Sequence, residues 1–304
     1  MALKFKQIHP FFVGEVSPID LRDVRDEETL AAIRAGMDRY AVLVFHDQHF
    51  TGQEQMDFAQ RLDGVLHMKT GSAVLGKSRL GNEAVSDISN LDEDGEILAT
   101  NDRRRMYQLG NRLWHTDASF QDPPGRYSML FAIQVPPVPA DTEFADMRAA
   151  YDALPDDMKA QIEGLQAHHS IAYSRQTLGF EFSKDEEEAL RGAIHPLVRT
   201  IPRSDRKATY VASHASRIVD WPVPEGRLVL KGLIEHGTQP RFRHLHSWKV
   251  GDFVIWDNRA TMHRGRAYDD TKYKRELRRV TTLDIPAPAE LAGVRAEREA
   301  VLSF

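Results

Sequence analysis

The chain has 304 residues, 41% hydrophobic and 28% charged, a globular balance with length for one large domain or two small ones. Its net charge of −5 provides no basic surface of the kind that binds nucleic acid by counterion release. The absence of cysteine excludes disulfides, thiolate metal sites, iron–sulfur clusters and a cysteine nucleophile, so any metal must be held by histidine and carboxylate.

The first residues lack the continuous apolar run of a signal peptide, and the longest apolar runs, such as Tyr40 to Phe45, are too short to span a bilayer. These features lead us to expect a cytoplasmic protein with no membrane or nucleic-acid partner; association into a homo-oligomer is left open.

Along the chain, residues 26 to 40 read as an amphipathic helix with Leu30, Ile33 and Met37 on one face. A short buried strand follows from Ala41 to Phe45. Thr51 and Glu54 have capping-box spacing ahead of a helix whose apolar face is Phe58, Ala59 and Leu62. From about Lys69 to Arg112 the sequence turns polar and loses its period, the character of a mobile lid or binding loop, or else of a disordered segment. Strand-like runs come next at Tyr127 to Val135, His195 to Ile201, Thr209 to Ala212, Phe253 to Trp256 and Leu277 to Leu283. The residues Pro202 to Arg206 form a turn between two of them. Helices are expected at Asp146 to Leu154, Asp156 to Leu165, from Ser183, and at Glu225 to His236. The pattern is mainly β with flanking helices, a sandwich or jelly-roll core carrying helices outside. No repeat or domain linker divides it, so residues 1–304 are expected to form one catalytic domain.

Three stretches could carry chemistry. In Trp114-His115-Thr116-Asp117 the histidine and aspartate are two apart, so on an extended backbone both side chains point the same way and can reach one metal. In the run Trp256 to Gly265 an apolar strand leads into a polar turn, with His263 just beyond it and Asp257 read as a turn residue. In Arg275-Glu276-Leu277-Arg278-Arg279, an extended backbone puts Arg275 and Arg279 on one face and Arg278 on the other. Paired guanidinium groups of this kind bind carboxylates through planar hydrogen bonds. Two histidines and one carboxylate leave coordination positions open on iron, which suits a chelating 2-oxo acid and dioxygen. His244 and His246, also two apart, form a weaker alternative metal pair on a stretch expected to be exposed. His168 and His169 fall on opposite faces of any strand.

These residues resemble the taurine dioxygenase family of Fe(II)- and 2-oxoglutarate-dependent enzymes, and most of all its 2,4-dichlorophenoxyacetate/2-oxoglutarate dioxygenase branch. The matching stretches include Tyr40 to Phe45, Asp87 to Asn90, Trp114 to Asp117, Asp141 to Leu154, His214 to Ser216, Pro224 to Arg227, Trp256 to Gly265 and Arg275 to Thr282. The tail from about 285 has no counterpart in that pattern. One extra residue lies between His263 and Arg275, which requires a bulge or a shift of register. Leu62-Asp63-Gly64 and Pro139-Ala140 also depart from the family pattern.

The resemblance implies a double-stranded β-helix (jelly-roll) core with His115, Asp117 and His263 as iron ligands and catalytic centre. It carries 2-oxoglutarate binding onto Thr142 and Arg275, and the acid group of the substrate onto Arg279, with Asn111 and Lys69 nearby and His67 of lower weight. The cofactor set is Fe(II), with 2-oxoglutarate and O2 as co-substrates. The implied reaction converts 2-oxoglutarate to succinate and CO2 while hydroxylating a small carboxylate. An aryloxyacetate hydroxylated beside its ether oxygen would collapse to a phenol and glyoxylate, a step in aromatic compound catabolism. Trp114, Phe120 and Tyr127 are read as an aromatic approach to that site. The alternatives are a sulfonate substrate such as taurine, another aromatic or aliphatic carboxylate, a zinc hydrolase, or a non-catalytic metal-binding jelly-roll protein.

Overall fold

The computed structural model describes residues 3–68 and 79–285. The residue Lys69 and the tail beyond residue 285, both singled out above, lie outside the described residues.

The N-terminal part supplies β1 (Phe5–Gln7), β2 (Gly14–Val16), α1 (Glu27–Tyr40), β3 (Val42–Phe45) and α2 (Gly52–Asp63). Asp26 starts α1 by accepting from the Thr29 amide. The helix stops where Ala41 turns left-handed, so β3 begins one residue later than its sequence indicates. Both halves of the Thr51/Glu54 capping box are made at the start of α2.

The next stretch holds β4 (Val85–Ser89), α3 (Arg103–Gln108) and a short 3-10 turn at Leu109–Arg112. Part of the segment expected to be a single aperiodic lid is therefore regular. Its strand is anchored by pairing with the last strand of the chain, and Asn90 clamps the connecting loop by donating to the carbonyls of Asp270 and Tyr273. The polar sequence conceals this order because β4 is only half-buried along its middle.

The remainder comprises β5 (Gly125–Gln134), β6 (Thr142–Asp146), α4 (Met147–Asp152), α5 (Asp156–Ile162), β7 (Gln166–His169), α6 (Ile171–Gln176), α7 (Lys184–Ala189), β8 (Ala193–Pro196), β9 (Val198–Ile201) and β10 (Arg206–Thr209). It ends with β11 (Ala215–Ile218), α8 (Val223–Gly237), β12 (Arg243–His246), β13 (Phe253–Asp257), β14 (Thr261–Gly265) and β15 (Glu276–Leu283). The hairpin expected around Pro202 to Arg206 is β9–β10.

A seven-stranded sheet runs β1-β2-β3-β13-β5-β15-β4, antiparallel except between β2 and β3. Alternation along its central strands decides both faces. Leu43, Phe45, Tyr127, Met129, Phe131, Phe253, Ile255 and Val280 pack beneath Leu30, Ile33 and Met37 of α1 and Phe58 and Leu62 of α2. The opposite residues, Val42, Val44, Leu130, Ala132, Val254, Trp256 and Leu277, meet Phe144 of β6. That strand is the centre of a second sheet, β12-β6-β14, lying across the first. Because both faces are covered, β3 and β13 read as unbroken apolar runs. Truncating a large side chain here, such as Phe253, costs about 3–5 kcal/mol in transfer and cavity terms.

The inner face changes character along its length. At one end the inward positions are polar: Ser128 on β5, Arg279 and Thr281 on β15, and His263 on β14. A core is exchanged there for a cavity.

Candidate active site

His115 forms an isolated bridge with His263, their amides and carbonyls exchanging hydrogen bonds of 3.0 and 2.8 Å. His263 lies just beyond the turn after β13, in strand β14, and this pairing brings residues 148 positions apart side by side. Asp117 begins the turn that follows, with Ala118 at a φ of +55°. The ring centroids of His115 and His263 are 4.2 Å apart. Asp117 reaches both rings, with Oδ1 3.9 Å from His115 Nε2 and Oδ2 3.8 Å from His263 Nε2. Among the described residues, these three form the one group of histidine and carboxylate ligands close enough to share a metal ion.

Local hydrogen bonds prepare these atoms for a cation. His115 Nδ1 lies 2.7 Å from the Leu113 carbonyl, which can only accept, so the proton sits on Nδ1 and the Nε2 lone pair is free. Burial pushes the His115 imidazole down to about 4, and burial followed by the neighbouring His115 holds His263 well below its usual range. Burial alone would raise the Asp117 carboxyl. Arg279, His263, His115 and the Ser128 hydroxyl outweigh it and keep the carboxylate ionised. Two neutral imidazoles and one carboxylate are the protonation states that metal binding requires. The donor set therefore fits Fe(II).

The supports of the triad come from a residue that the sequence reading passed over. Asn258, in the turn between β13 and β14, accepts from the Asp117 amide and from Trp256 Nε1, each at 3.0 Å. Its amide donates at 3.0 Å to Ser128 Oγ, which in turn donates at 2.7 Å to Asp117 Oδ2. Asp257, expected in the turn or supporting the ligands rather than ligating, is buried and accepts three times from Arg259, once from its amide and twice from its guanidinium.

Two adjoining cavities open from the triad. One is lined by Thr142, Leu130, Trp256, His263, Tyr268 and Arg275. It brings together the two residues expected to bind 2-oxoglutarate, from β6 and from the residue preceding β15. Thr142 Oγ1 accepts from Trp248 Nε1 at 2.9 Å, leaving its own proton to donate. Arg275 is partly buried, and burial brings its guanidinium down to about 10 against the opposing pull of Tyr268 and Asp141. The extra residue before Arg275 falls in the connection between β14 and β15; the register shift where β15 meets β5, between Glu276 and Leu277, leaves Ile133 of β5 unpaired instead.

The second cavity is lined by His67, His115, Asp117, Arg175, His214 and Arg279 together with Ile88, Leu91, Leu98, Tyr107, Phe120 and Ile171. Asn111 and Arg279 border both cavities. Arg279 donates to Asp117 Oδ1. Arg278 points to the other face, as its place in the strand requires, and donates to Gln55 Oε1 and to the Phe50 carbonyl.

Of the three aromatics expected to line the approach, only Phe120 does. Tyr127 is buried under the helices, bonded to Arg203, and Trp114 packs against a separate apolar cluster and Arg264. Tyr107 takes their place from α3, within the stretch that read as aperiodic. His244 and His246 are not on an exposed stretch: β12 pairs with β6, and buried His246 sits 3.2 Å from Asp252, which also holds His46. His168 and His169 do face opposite ways, to Ser216 and Ser119.

The family described as Taurine catabolism dioxygenase TauD, TfdA family matches residues 4–281. The chain belongs to this family. The alpha-ketoglutarate-dependent 2,4-dichlorophenoxyacetate dioxygenase of Burkholderia sp. (strain RASC) is 44% identical over 293 residues, covering 93% of this chain and 95% of the relative. The (S)-phenoxypropionate/alpha-ketoglutarate-dioxygenase of Sphingobium herbicidovorans is 34% identical over 86% of this chain and 88% of its own length. The crystal structure of AAD-2 in complex with Mn(II) and N-oxalylglycine superposes with a TM-score of 0.85 at 44% identity, covering 94% of this chain and 98% of that one. This TauD/TfdA-family chain is therefore an enzyme, a 2-oxoglutarate-dependent non-haem iron dioxygenase acting on a small molecule. Its cofactor set is the one the residues implied, and the readings as a hydrolase or a non-catalytic binder fall away. No helix among the described residues is long and apolar enough to cross a membrane.

Proposed function

We propose that this dioxygenase cleaves aryloxyacetates, with iron held by His115, Asp117 and His263. The observation that carries the reading is the mixed lining of the cavity beside Asp117. It offers Arg279, Asn111 and Arg175 as hydrogen-bond donors, and Ile88, Leu91, Leu98, Phe120 and Ile171 add apolar wall. The first group suits an acid head and the second an aryl body. The names of the two relatives, each acting on an aryloxy acid, point the same way.

In this reading the two facing sheets are a double-stranded β-helix core, and the chain is a single catalytic domain. Iron with 2-oxoglutarate and O2 supplies the oxidising chemistry that hydroxylates a C–H bond. The residues of the chain do the placing. Arg275 and the Thr142 hydroxyl hold the far carboxylate of 2-oxoglutarate in the cavity they line, where the partly buried guanidinium offers paired donors. Arg279 fixes the substrate's acid group, so that its neighbouring methylene faces the triad. Asn111 lies between the two cavities and helps to orient both ligands. Lys69 is retained as a further substrate contact. Hydroxylation beside the ether oxygen gives a hemiacetal that releases phenol and glyoxylate, with one succinate and one CO2 formed from 2-oxoglutarate.

Purified enzyme supplied with Fe(II), ascorbate and 2-oxoglutarate should release phenol from phenoxyacetate, read colorimetrically, and should turn over taurine far more slowly. Steady succinate formation from another acid, with no phenol from any phenoxyacetate, would remove the substrate assignment and leave the dioxygenase chemistry in place.

A further inference from the structure

We propose that Arg175 forms the second wall of the carboxylate subsite, gripping the acid group of the substrate opposite Arg279. This rests on the reading of the cavity as a site for a small organic acid.

Arg175 sits in the short helix α6, and nothing in the sequence around it suggests a ligand. Its surroundings do. The side chain is only 4% exposed yet lines the cavity beside His115, Asp117 and Asn111. One face of the guanidinium stacks on the Tyr107 ring, 4.8 Å from its centroid. It also lies so close to Gly110 that an added Cβ there would fall 2.1 Å from Arg175 Cζ. Glycine at 110 is therefore what permits the guanidinium to lie where it does.

Its donors are poorly used. A guanidinium carries five N–H groups. Nη1 donates to Ser174 Oγ at 3.1 Å, Nη2 makes a long contact of 3.4 Å to Asn111 Oδ1, and buried Nε has no partner. Both acceptors are neutral. The other arginines lining the same cavity differ: Arg79 is paired with Asp87 and Glu276, Arg104 with Asp102 and Glu93, and Arg279 with Asp117. Among the described residues, no carboxylate pairs with Arg175. Asp117, which attracts it at longer range, is already bonded to Arg279 and lies within the metal-ligand cluster.

His214 does not add charge. The Ser174 proton goes to the Ile171 carbonyl, so His214 Nδ1 must donate to Ser174 Oγ, and burial keeps the ring neutral.

A buried cation without an anion is strongly unfavourable unless a ligand brings one. An incoming carboxylate would take the Nη–H donors that Ser174 and Asn111 leave free, since Nε is closed off beside Gly110, and lysine cannot reproduce that planar fork. A neutral isostere would leave the guanidinium unpaired, so Arg175 also excludes non-acids from the site.

The test compares wild type with Arg175→Met and Arg175→Lys by calorimetric binding of phenoxyacetate and phenoxyacetamide to the anaerobic Fe(II)/2-oxoglutarate enzyme. Urea midpoints are measured alongside. Wild type should prefer the acid strongly. Arg175→Met should bind it about 30- to 5,000-fold more weakly, the range expected for losing one partner of a buried charge pair. The preference for acid over amide should collapse, while 2-oxoglutarate binding and the urea midpoint are maintained or the midpoint rises. Arg175→Lys should recover part of the affinity. Binding of the acid within about threefold of wild type in Arg175→Met, with the preference for acid intact, would overturn the proposal. So would equal losses of urea resistance and of affinity for both ligands in both variants, which mark a structural role. If wild type binds a different acid in place of phenoxyacetate, the aryloxyacetate reading fails, and the same acid-against-amide ratio still decides Arg175. No preference for any acid in wild type counts against it.

Discussion

Replacing Asn258 by alanine should damage the metal centre and the fold together, although the residue touches neither cofactor nor substrate. The Asn258 carboxamide accepts from the Asp117 amide and the Trp256 indole and donates to Ser128 Oγ, and Asp117, Trp256, Ser128 and Asn258 itself are all buried. Asn258→Ala strands two of those donors away from water. An orphaned buried donor costs about 1–3 kcal/mol, so the pair accounts for roughly 2–6 kcal/mol. That is a large share of the 5–15 kcal/mol by which a typical domain is stable. Loss of the amide anchor also frees the Asp117 backbone, and disturbing the partners of metal ligands typically weakens metal binding about 10- to 100-fold. Urea denaturation of the metal-free protein and anaerobic Fe(II) titration read the two effects separately. A stability within about 0.5 kcal/mol of wild type, the range of an ordinary surface substitution, with unchanged iron affinity would refute this account of how the triad is held.

The two cavity arginines should separate by ligand. Arg275→Met should raise the 2-oxoglutarate requirement by the roughly 2–5 kcal/mol of a lost buried charge pair, while Arg279→Met weakens the primary substrate. The visible charge-transfer band of the anaerobic Fe(II)/2-oxoglutarate complex checks this, and loss of the band in Arg279→Met alone would reverse the roles. Acid should destabilise the metal-free protein. His169 is pushed down to about 3 by burial and then by His195 and His168, against 6.5 when unfolded, so between those values only the unfolded chain takes up the proton. Its share of stability therefore falls as pH drops from about 6.5 towards 3, by about 1.4 kcal/mol per pH unit, and His169→Gln should flatten the slope in urea titrations. His246→Ala should keep turnover, because its partner is Asp252 and not a member of the triad; loss of iron in that variant would reopen the second histidine pair.

Much of this architecture could be read from the residues, and the parts that could not share a physical cause. The helices α1 and α2 announced themselves by apolar spacing and by Asp26 and Thr51 caps, which are local signals. Strand β13 was legible because both its faces are covered. Strands β6, β7, β11, β12 and β14 are only four or five residues long, and several carry histidine and arginine on a half-buried face. Their existence depends on distant partners, which periodicity does not report. The triad was recoverable as a constellation, His115 and Asp117 by their spacing and His263 by resemblance. Asn258 and Arg175 were not, since an asparagine in a turn and an arginine in a polar helix are unremarkable until the fold buries them. Tyr127 misled for the opposite reason: its neighbour Ser128 faces the site, and alternation sends Tyr127 under the helices.

The central claim is the location of the iron, and anomalous diffraction collected at the iron edge from anaerobic Fe(II)-loaded crystals tests it most directly. The account predicts a single strong peak between His115 Nε2, the Asp117 carboxylate and His263 Nε2, retained in His246→Ala and lost in Asp117→Ala. A peak beside His46, Asp252 and His246, or one that survives Asp117→Ala, would contradict it.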